Sequence, residues 1–238
     1  MTAQEQVSTG SKGRKRGGPL RLSQGKILDA ARKIDPQKLT MQAVADELGV
    51  DRKALNYHVT DREGLMRLLA EEVFESSFAE GFESYFEALG VSDDADWRDG
   101  IRAWATTVRD SMVATGIVSN YYRLSSDNLA IFEPAELVLQ QMLRAGFDLT
   151  TAARGLATAT HFGMAIGRDI IMERQLGEHP QGPEVRRLLE GAHDQGGFEA
   201  FRELIALEIN GPRDIEQQFE FELSMLTAGL EAQLELRR

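Results

Sequence analysis

The sequence predicts an all-α chain in which a small basic N-terminal domain of three short helices precedes a larger acidic helical body. Three observations carry this. Apolar residues recur at three- and four-residue intervals along almost the whole chain, and no alternating segment reads as a strand. Charge is unevenly divided: residues 1 to 67 hold 13 Lys+Arg against 8 Asp+Glu, a net of +5, which leaves 14 against 30, or −16, for residues 68 to 238. A basic end on an acidic body suits contact with a polyanion at that end only, because the body repels phosphate everywhere else.

The elements follow in order. Residues 1 to 20 are polar and Gly-rich, with KGRKRGG at Lys12 to Gly18, and read as a disordered basic arm. Ser23 caps a first helix with the stripe Ile27, Leu28, Ala31 and Ile34, which stops before Pro36. Thr40 caps a second, buried through Met41, Val44, Ala45 and Leu48 and ended by Gly49. Asp51 caps a brief third helix that turns Ala54 and Leu55 inward and leaves Arg52, Lys53, Asn56, Tyr57 and His58 with little apolar company. Thr60 to Glu63 has the Thr-x-x-Glu form of a capping box, opening a fourth helix with Leu65, Leu68, Leu69 and Val73 inward. Helices are then expected over about Asp96 to Ala114, Pro134 to Ala145 and Asp148 to Gln175. Gly177 to Gly197 reads as a loop with a short helix at Glu184 to Leu189. A last helix from about Pro212 to Leu236 presents Phe219, Leu223, Leu226, Leu230 and Leu234 as an exposed apolar seam. The domain expectation is an arm at 1–20, a first domain at 21–67 and a second at 68–238.

Composition excludes several classes. The 238 residues are 42% hydrophobic, enough for a sizeable core, and contain no cysteine, so disulfides, thiolate nucleophiles and thiolate zinc sites are ruled out. No run approaches the roughly eighteen apolar residues of a membrane span, and no apolar segment follows the basic N-terminus as in a secretory signal, so the expectation is a cytoplasmic chain without a membrane partner. P-loop, G-x-G-x-x-G, H-E-x-x-H and G-x-S-x-G patterns are missing, and four histidines without cysteine leave few catalytic constellations. No enzyme activity, metal or cofactor is expected.

Two helices joined by a Gly turn, with the second lying across the first, form a helix-turn-helix whose second helix fits a DNA major groove; a helical hairpin in an ordinary bundle has the same pattern. Arg52 and Asn56 are the types that pair with guanine and adenine edges, and Lys53, Tyr57, His58 and Arg62 suit phosphate or thymine-methyl contact. The stretch LTMQAVADELGVDRKALNYHVTDREGLMRLLAEEV, Leu39 to Val73, closely resembles the DNA-binding segment of the tetracycline-repressor (TetR) family. DWRDGIRAWATTVRDSM, RAGFDLTTAARGLATATHFGMAIGRD and FEFELSMLTAGLEAQL resemble later parts of tetracycline repressors in order and spacing, so the likeness runs over about Leu22 to Leu234. It implies a homodimeric, ligand-responsive repressor that binds double-stranded DNA at a palindromic operator, with a helical ligand-binding and dimerization domain. An architectural DNA-binding protein or an activator without a releasing ligand is the alternative.

Carried over by position, the resemblance puts operator contacts on Thr40, Gln42, Arg52, Lys53, Ala54, Asn56, Tyr57, His58 and Arg62. Gln42 replaces a guanine-reading arginine, and Arg52, Lys53 and Asn56 replace Gln, Pro and Tyr, which implies a different operator. On the ligand side, Phe78, Trp104, Tyr121 and Val138 stand where tetracycline repressors hold the drug and its magnesium. Phe and Trp cannot ligate a hard cation, so the resemblance implies an aromatic effector other than tetracycline and no metal. Phe78, Phe82, Trp104, Val108, Met142, Phe162 and Met164 are either bundle core or ligand contacts, joined by the polar Tyr121, Tyr122, His161, Arg168 and Asp169. Arg168 either pairs with Asp169 or meets the ligand; His161 has no second ligand at metal spacing and has a structural reading too. The arm either enters a minor groove or only raises non-specific affinity. The small-residue run from Ala152 to Gly167 permits close helix approach, inside the subunit or, as the resemblance implies, in a four-helix bundle with a second subunit.

Overall fold

The structure, a computed structural model, describes residues 22–34, 38–89, 95–117, 132–178, 181–192, 197–210 and 215–236. These residues form ten helices and no strand: α1 (Gln24–Arg32), α2 (Met41–Leu48), α3 (Arg52–Leu55), α4 (Arg62–Leu89), α5 (Trp97–Thr115), α6 (Glu133–Arg144), α7 (Leu149–Leu176), α8 (Gly182–Ala192), α9 (Glu199–Asn210) and α10 (Ile215–Glu235). The all-α expectation holds. The chain divides into two compact units between Leu65 and Met66, within α4.

In the first unit each short helix starts on a side-chain cap that satisfies an otherwise orphaned N–H. Ser23 Oγ accepts from Lys26 N at 3.4 Å, Thr40 Oγ1 from Ala43 N at 3.1 Å, and Asp51 Oδ1 from Lys53 N at 2.7 Å. Gly49 ends α2 in the left-handed region, φ 65°, where a Cβ is penalised, and Val50 N–H donates back to Ala45 O at 3.0 Å. The buried apolar side chains among the described residues are Ile27, Leu28, Ala30, Ala31, Leu39, Met41, Val44, Ala45, Leu55, Val59 and Leu65. The capping-box expectation is corrected by one residue: Asp61 Oδ1 accepts from Gly64 N at 2.7 Å, so Asp61 caps α4 and Thr60 lies outside it.

In the second unit α4 buries Ala70, Phe74, Phe78, Phe82 and Phe86, an i, i+4 stripe. Full burial stabilises by about 1.5–3 kcal/mol per phenylalanine. Val73, expected inward, is 36% exposed because that stripe, and not the leucine pattern before it, sets the buried face. The core centres on α5 crossing α7, with α6 and α10 packed beside them. Glycine makes the crossing close: a Cβ on Gly163 would stand 2.7 Å from Ala105 O and one on Gly167 2.7 Å from Met112 Cβ. The inward small residues of α7 therefore serve packing within the subunit.

The seam on α10 is also corrected. Phe219, Leu223 and Leu230 are buried in the chain's own core, and Leu226 and Leu234 pack against it half-buried. The large apolar side chains that α10 exposes are Phe221 and Met225, both 60% exposed. Arg109 fastens α10 to α5: its guanidinium lies 4.3 Å from the Phe219 ring centroid and bonds Glu216 at 2.8 Å and Asp110 at 2.8 Å. Burial works against its charge, but those two partners outweigh it and raise its pKa further above the ordinary arginine value. Two helical features escape the sequence expectation: α8 extends over Gly182–Ala192, and α9 was not anticipated at all, although Glu, Leu and Ala in EAFRELIALEIN are strong helix formers.

Candidate nucleic-acid interface and effector site

α3 is held from below and open above. Leu55 is 0% exposed and Val59 3%, so the short helix is pinned by two apolar side chains, while Arg52, Lys53, Asn56, Tyr57 and His58 are all exposed. Only Arg52 to Leu55 form α-helix; Asn56 to His58 continue as a turn in which the N–H groups of His58 and Val59 both donate to Leu55 O at 2.8 Å. Tyr57 is 90% exposed, so its ring contributes almost nothing to the fold. Arg52 and Lys53 make no ion pair among the described residues. Two cations, a carboxamide, a phenol and an imidazole thus stand on one small convex element, a donor-rich set able to meet base edges and phosphates in a groove about 12 Å wide.

The other expected contact residues have local duties. Thr40 is exposed but uses its hydroxyl as the α2 cap. Gln42 is exposed and donates to Asp46 Oδ1 at 2.8 Å, one turn along α2. Ala54 is half-buried. Arg62 Nε–H donates to Leu39 O at 3.0 Å, tying the start of α4 to the segment before α2. That tie has no sequence signal, since it joins residues 23 apart.

In the second unit the aromatic residues gather. Phe78 meets Trp104 edge to face, ring centroids 5.1 Å apart, and Phe82 meets it at 6.3 Å. Phe74, Phe82 and Phe86 extend the series along α4. Phe78, Phe82 and Val108 are buried, whereas Trp104 is half-buried and its indole N–H donates to Thr160 Oγ1 at 2.8 Å. Thr160 was not anticipated; a threonine one turn past Leu156 in an apolar helix face was the available signal, since a buried indole N–H needs an acceptor. Met164 and Ile117 pack against the same cluster.

Val138 and Met142, fully buried on α6, belong to the core cluster that contains Phe82 and against which Trp104 packs. The other expected ligand residues do not all join it. His161 is exposed on α7, and Phe162 lines a groove of about 430 Å³ between α7 and α10 together with Arg154, Thr158, Met225, Leu226 and Gly229. Arg168 is exposed, with Nε 3.7 Å from Asp169 Oδ1, so the pairing alternative is the one the geometry favours. Tyr121 and Tyr122, like the basic arm, lie outside the described residues. Among the described residues no group of three or more His, Asp or Glu is arranged to hold a metal ion, and no helix is long and apolar enough to cross a membrane.

A helix-turn-helix head followed by an independent helical domain defines the class: a two-unit helical DNA-binding protein. Comparison with known proteins specifies it. The model of the family described as tetracyclin repressor-like, C-terminal domain, matches residues 89–234. The chain belongs to the tetracycline-repressor (TetR) family of transcriptional regulators. It is 23% identical over 196 residues to the class A tetracycline repressor protein from transposon 1721 of Escherichia coli, covering 77% of this chain and 85% of that one. To the class D tetracycline repressor protein of Escherichia coli it is 25% identical over 218 residues, covering 90% and 91%. Among solved structures, the Streptomyces coelicolor TetR family protein ActR in complex with actinorhodin is similar in fold, with a TM-score of 0.55 at 20% identity over 90% of this chain and 97% of that one. A single-site variant of TetR from Acinetobacter baumannii AYE in complex with minocycline gives a TM-score of 0.52 at 19% identity, covering 89% and 99%.

Proposed function

We propose that this chain is a homodimeric repressor whose two α3 elements enter successive major grooves of a palindromic operator and which a small aromatic effector, not tetracycline, releases. The observation that carries the DNA reading is the exposed face of α3, above all Tyr57, whose ring the fold leaves 90% exposed. Arg52 and Asn56 read bases, Lys53 and His58 hold backbone phosphates, and Thr40 and Gln42 border the same contact. In a two-fold dimer the half-sites lie about 34 Å apart, one helical turn. The dimer forms through α7 and α10, where Phe221 and Met225 stand exposed next to a groove that Phe162 and Leu226 line.

Release follows from the aromatic group. Trp104 is half-buried and touches Phe78 and Phe82 of α4, the helix that continues from the DNA-binding head. A planar ligand that stacks on Trp104 repositions those rings and with them α4, changing the separation of the two heads. Such coupling amounts to about 1–3 kcal/mol. Magnesium is dispensable, since Phe78, Trp104 and Val138 offer no donor to a hard cation. The test is to titrate planar aromatic polyketide-like compounds into operator-bound protein, with and without EDTA, reading release and the fluorescence difference between wild type and Trp104→Phe. Release unaffected by EDTA and accompanied by a Trp104 signal is expected. Release that requires a divalent metal, or strong binding of tetracycline, overturns the effector reading.

A further inference from the structure

On α2 the side turned away from the core carries Gln42 and Asp46, both exposed and one helical turn apart, while Met41, Val44 and Ala45 are buried on the other side. Gln42 Nε2–H donates to Asp46 Oδ1 at 2.8 Å. Chemistry fixes the polarity of that bond. An ionised carboxylate only accepts, so the end of the carboxamide that faces Asp46 must be its nitrogen. Oε1 and the second N–H of the amide are then left over, with no partner among the described residues.

Asp46 itself needs a reason to stand there. Its neighbour Glu47 is matched by Lys33 at 3.2 Å, whereas Asp46 forms no ion pair among the described residues. A bare carboxylate on the first helix of a helix-turn-helix, the helix that crosses the phosphate backbone, is repelled by that backbone. Nor does this side chain hold the fold. The turn after α2 is closed by main chain, with Gly49 N–H donating to Asp46 O at 3.1 Å. What the carboxylate does, among the described residues, is hold Gln42.

We propose that Asp46 is a positioning residue that fixes the orientation of the Gln42 amide, and that the amide so held reads adenine at one position of each half-site. This rests on the reading of the head as DNA-binding. Adenine offers a donor at N6 beside an acceptor at N7, and an amide that points Oε1 and an N–H forward meets both. Guanine has O6 in place of the donor, so an amide that cannot turn its oxygen away is repelled by it. A side chain held in advance also loses less freedom on docking. Without Asp46 the amide turns over freely and accepts guanine through its nitrogen as well.

The test is selection from a randomised duplex pool by the full-length protein, beside Asp46→Ala, Gln42→Ala and the double variant. The wild type is expected to enrich a two-fold symmetric sequence containing an adenine whose preference disappears in Gln42→Ala. In competition it should favour that adenine over guanine by about five- to 150-fold. Asp46→Ala should cut the ratio to about twofold or less, leave the other positions unchanged and bind unrelated duplex more tightly, because a charge that repels phosphate is gone. With Gln42 already replaced, Asp46→Ala should not alter base preference further. A purely structural role for Asp46 would weaken every position alike. That uniform loss, an adenine preference that survives Asp46→Ala, or a Gln42→Ala variant that changes no position overturns the proposal. Failure of the wild type to select any symmetric sequence would overturn the DNA reading itself, and the proposal with it.

Discussion

Replacing Gly163 by alanine sets two effects of opposite sign against each other. In an open helix the change gains about 0.8–1 kcal/mol, because alanine loses less conformational freedom. Here the added methyl would lie 2.7 Å from the carbonyl oxygen of Ala105 and 3.0 Å from both Cβ and Cγ1 of Val108. The nearest of these is backbone inside α5 and cannot rotate away, so the two helices must separate. Overpacking of this kind costs about 1–3 kcal/mol, and a rigid neighbour puts it toward the upper end. The net expectation is a loss of about 1–2 kcal/mol. Gly167, whose Cβ would meet Met112 Cβ at 2.7 Å and Arg109 O at 2.9 Å, should behave alike. Urea unfolding at fixed protein concentration reads the effect as a lower midpoint with unchanged slope. A midpoint that stays or rises would refute the claim that glycine sets the α5 to α7 distance.

Two further outcomes follow from the proposed DNA-binding and dimer surfaces. Arg52→Ala should cost about 1–3 kcal/mol of operator affinity and relax the preference at one position per half-site, measured by competition with singly substituted operators; uniform weakening at every position would instead make Arg52 a phosphate contact. Phe221→Glu combined with Met225→Glu should sediment as a monomer with full helix content, since both side chains are 60% exposed in the single chain; a dimer that persists in that variant would put the interface elsewhere.

Local signals were legible in the sequence where the physics is local. Ser23, Thr40 and Asp51 bond to N–H groups two or three residues on, and Gly49 takes the left-handed turn, so the head could be read almost residue by residue. Asp61 was missed in favour of Thr60 because either can cap and only the backbone decides between them. The α10 pattern showed which side is apolar but not what covers it: Phe219, Leu223 and Leu230 pack inside the subunit, and Phe221 and Met225, on another face, were passed over. The effector side depends on contacts between distant elements. Trp104 bonds to Thr160, 56 residues away, while His161 and Phe162, the next two along α7, are exposed and groove-lining respectively. Nothing in local periodicity separates those three neighbours.

Footprinting with wild-type protein beside a Tyr57→Ala/His58→Ala variant tests the central claim most directly, because both side chains are exposed and neither supports the core. The wild type should protect a two-fold symmetric site with half-sites about one helical turn apart. The variant should leave that site open while keeping its helix content by circular dichroism. Full protection by the variant, or loss of its fold, would contradict the assignment of the α3 face to DNA.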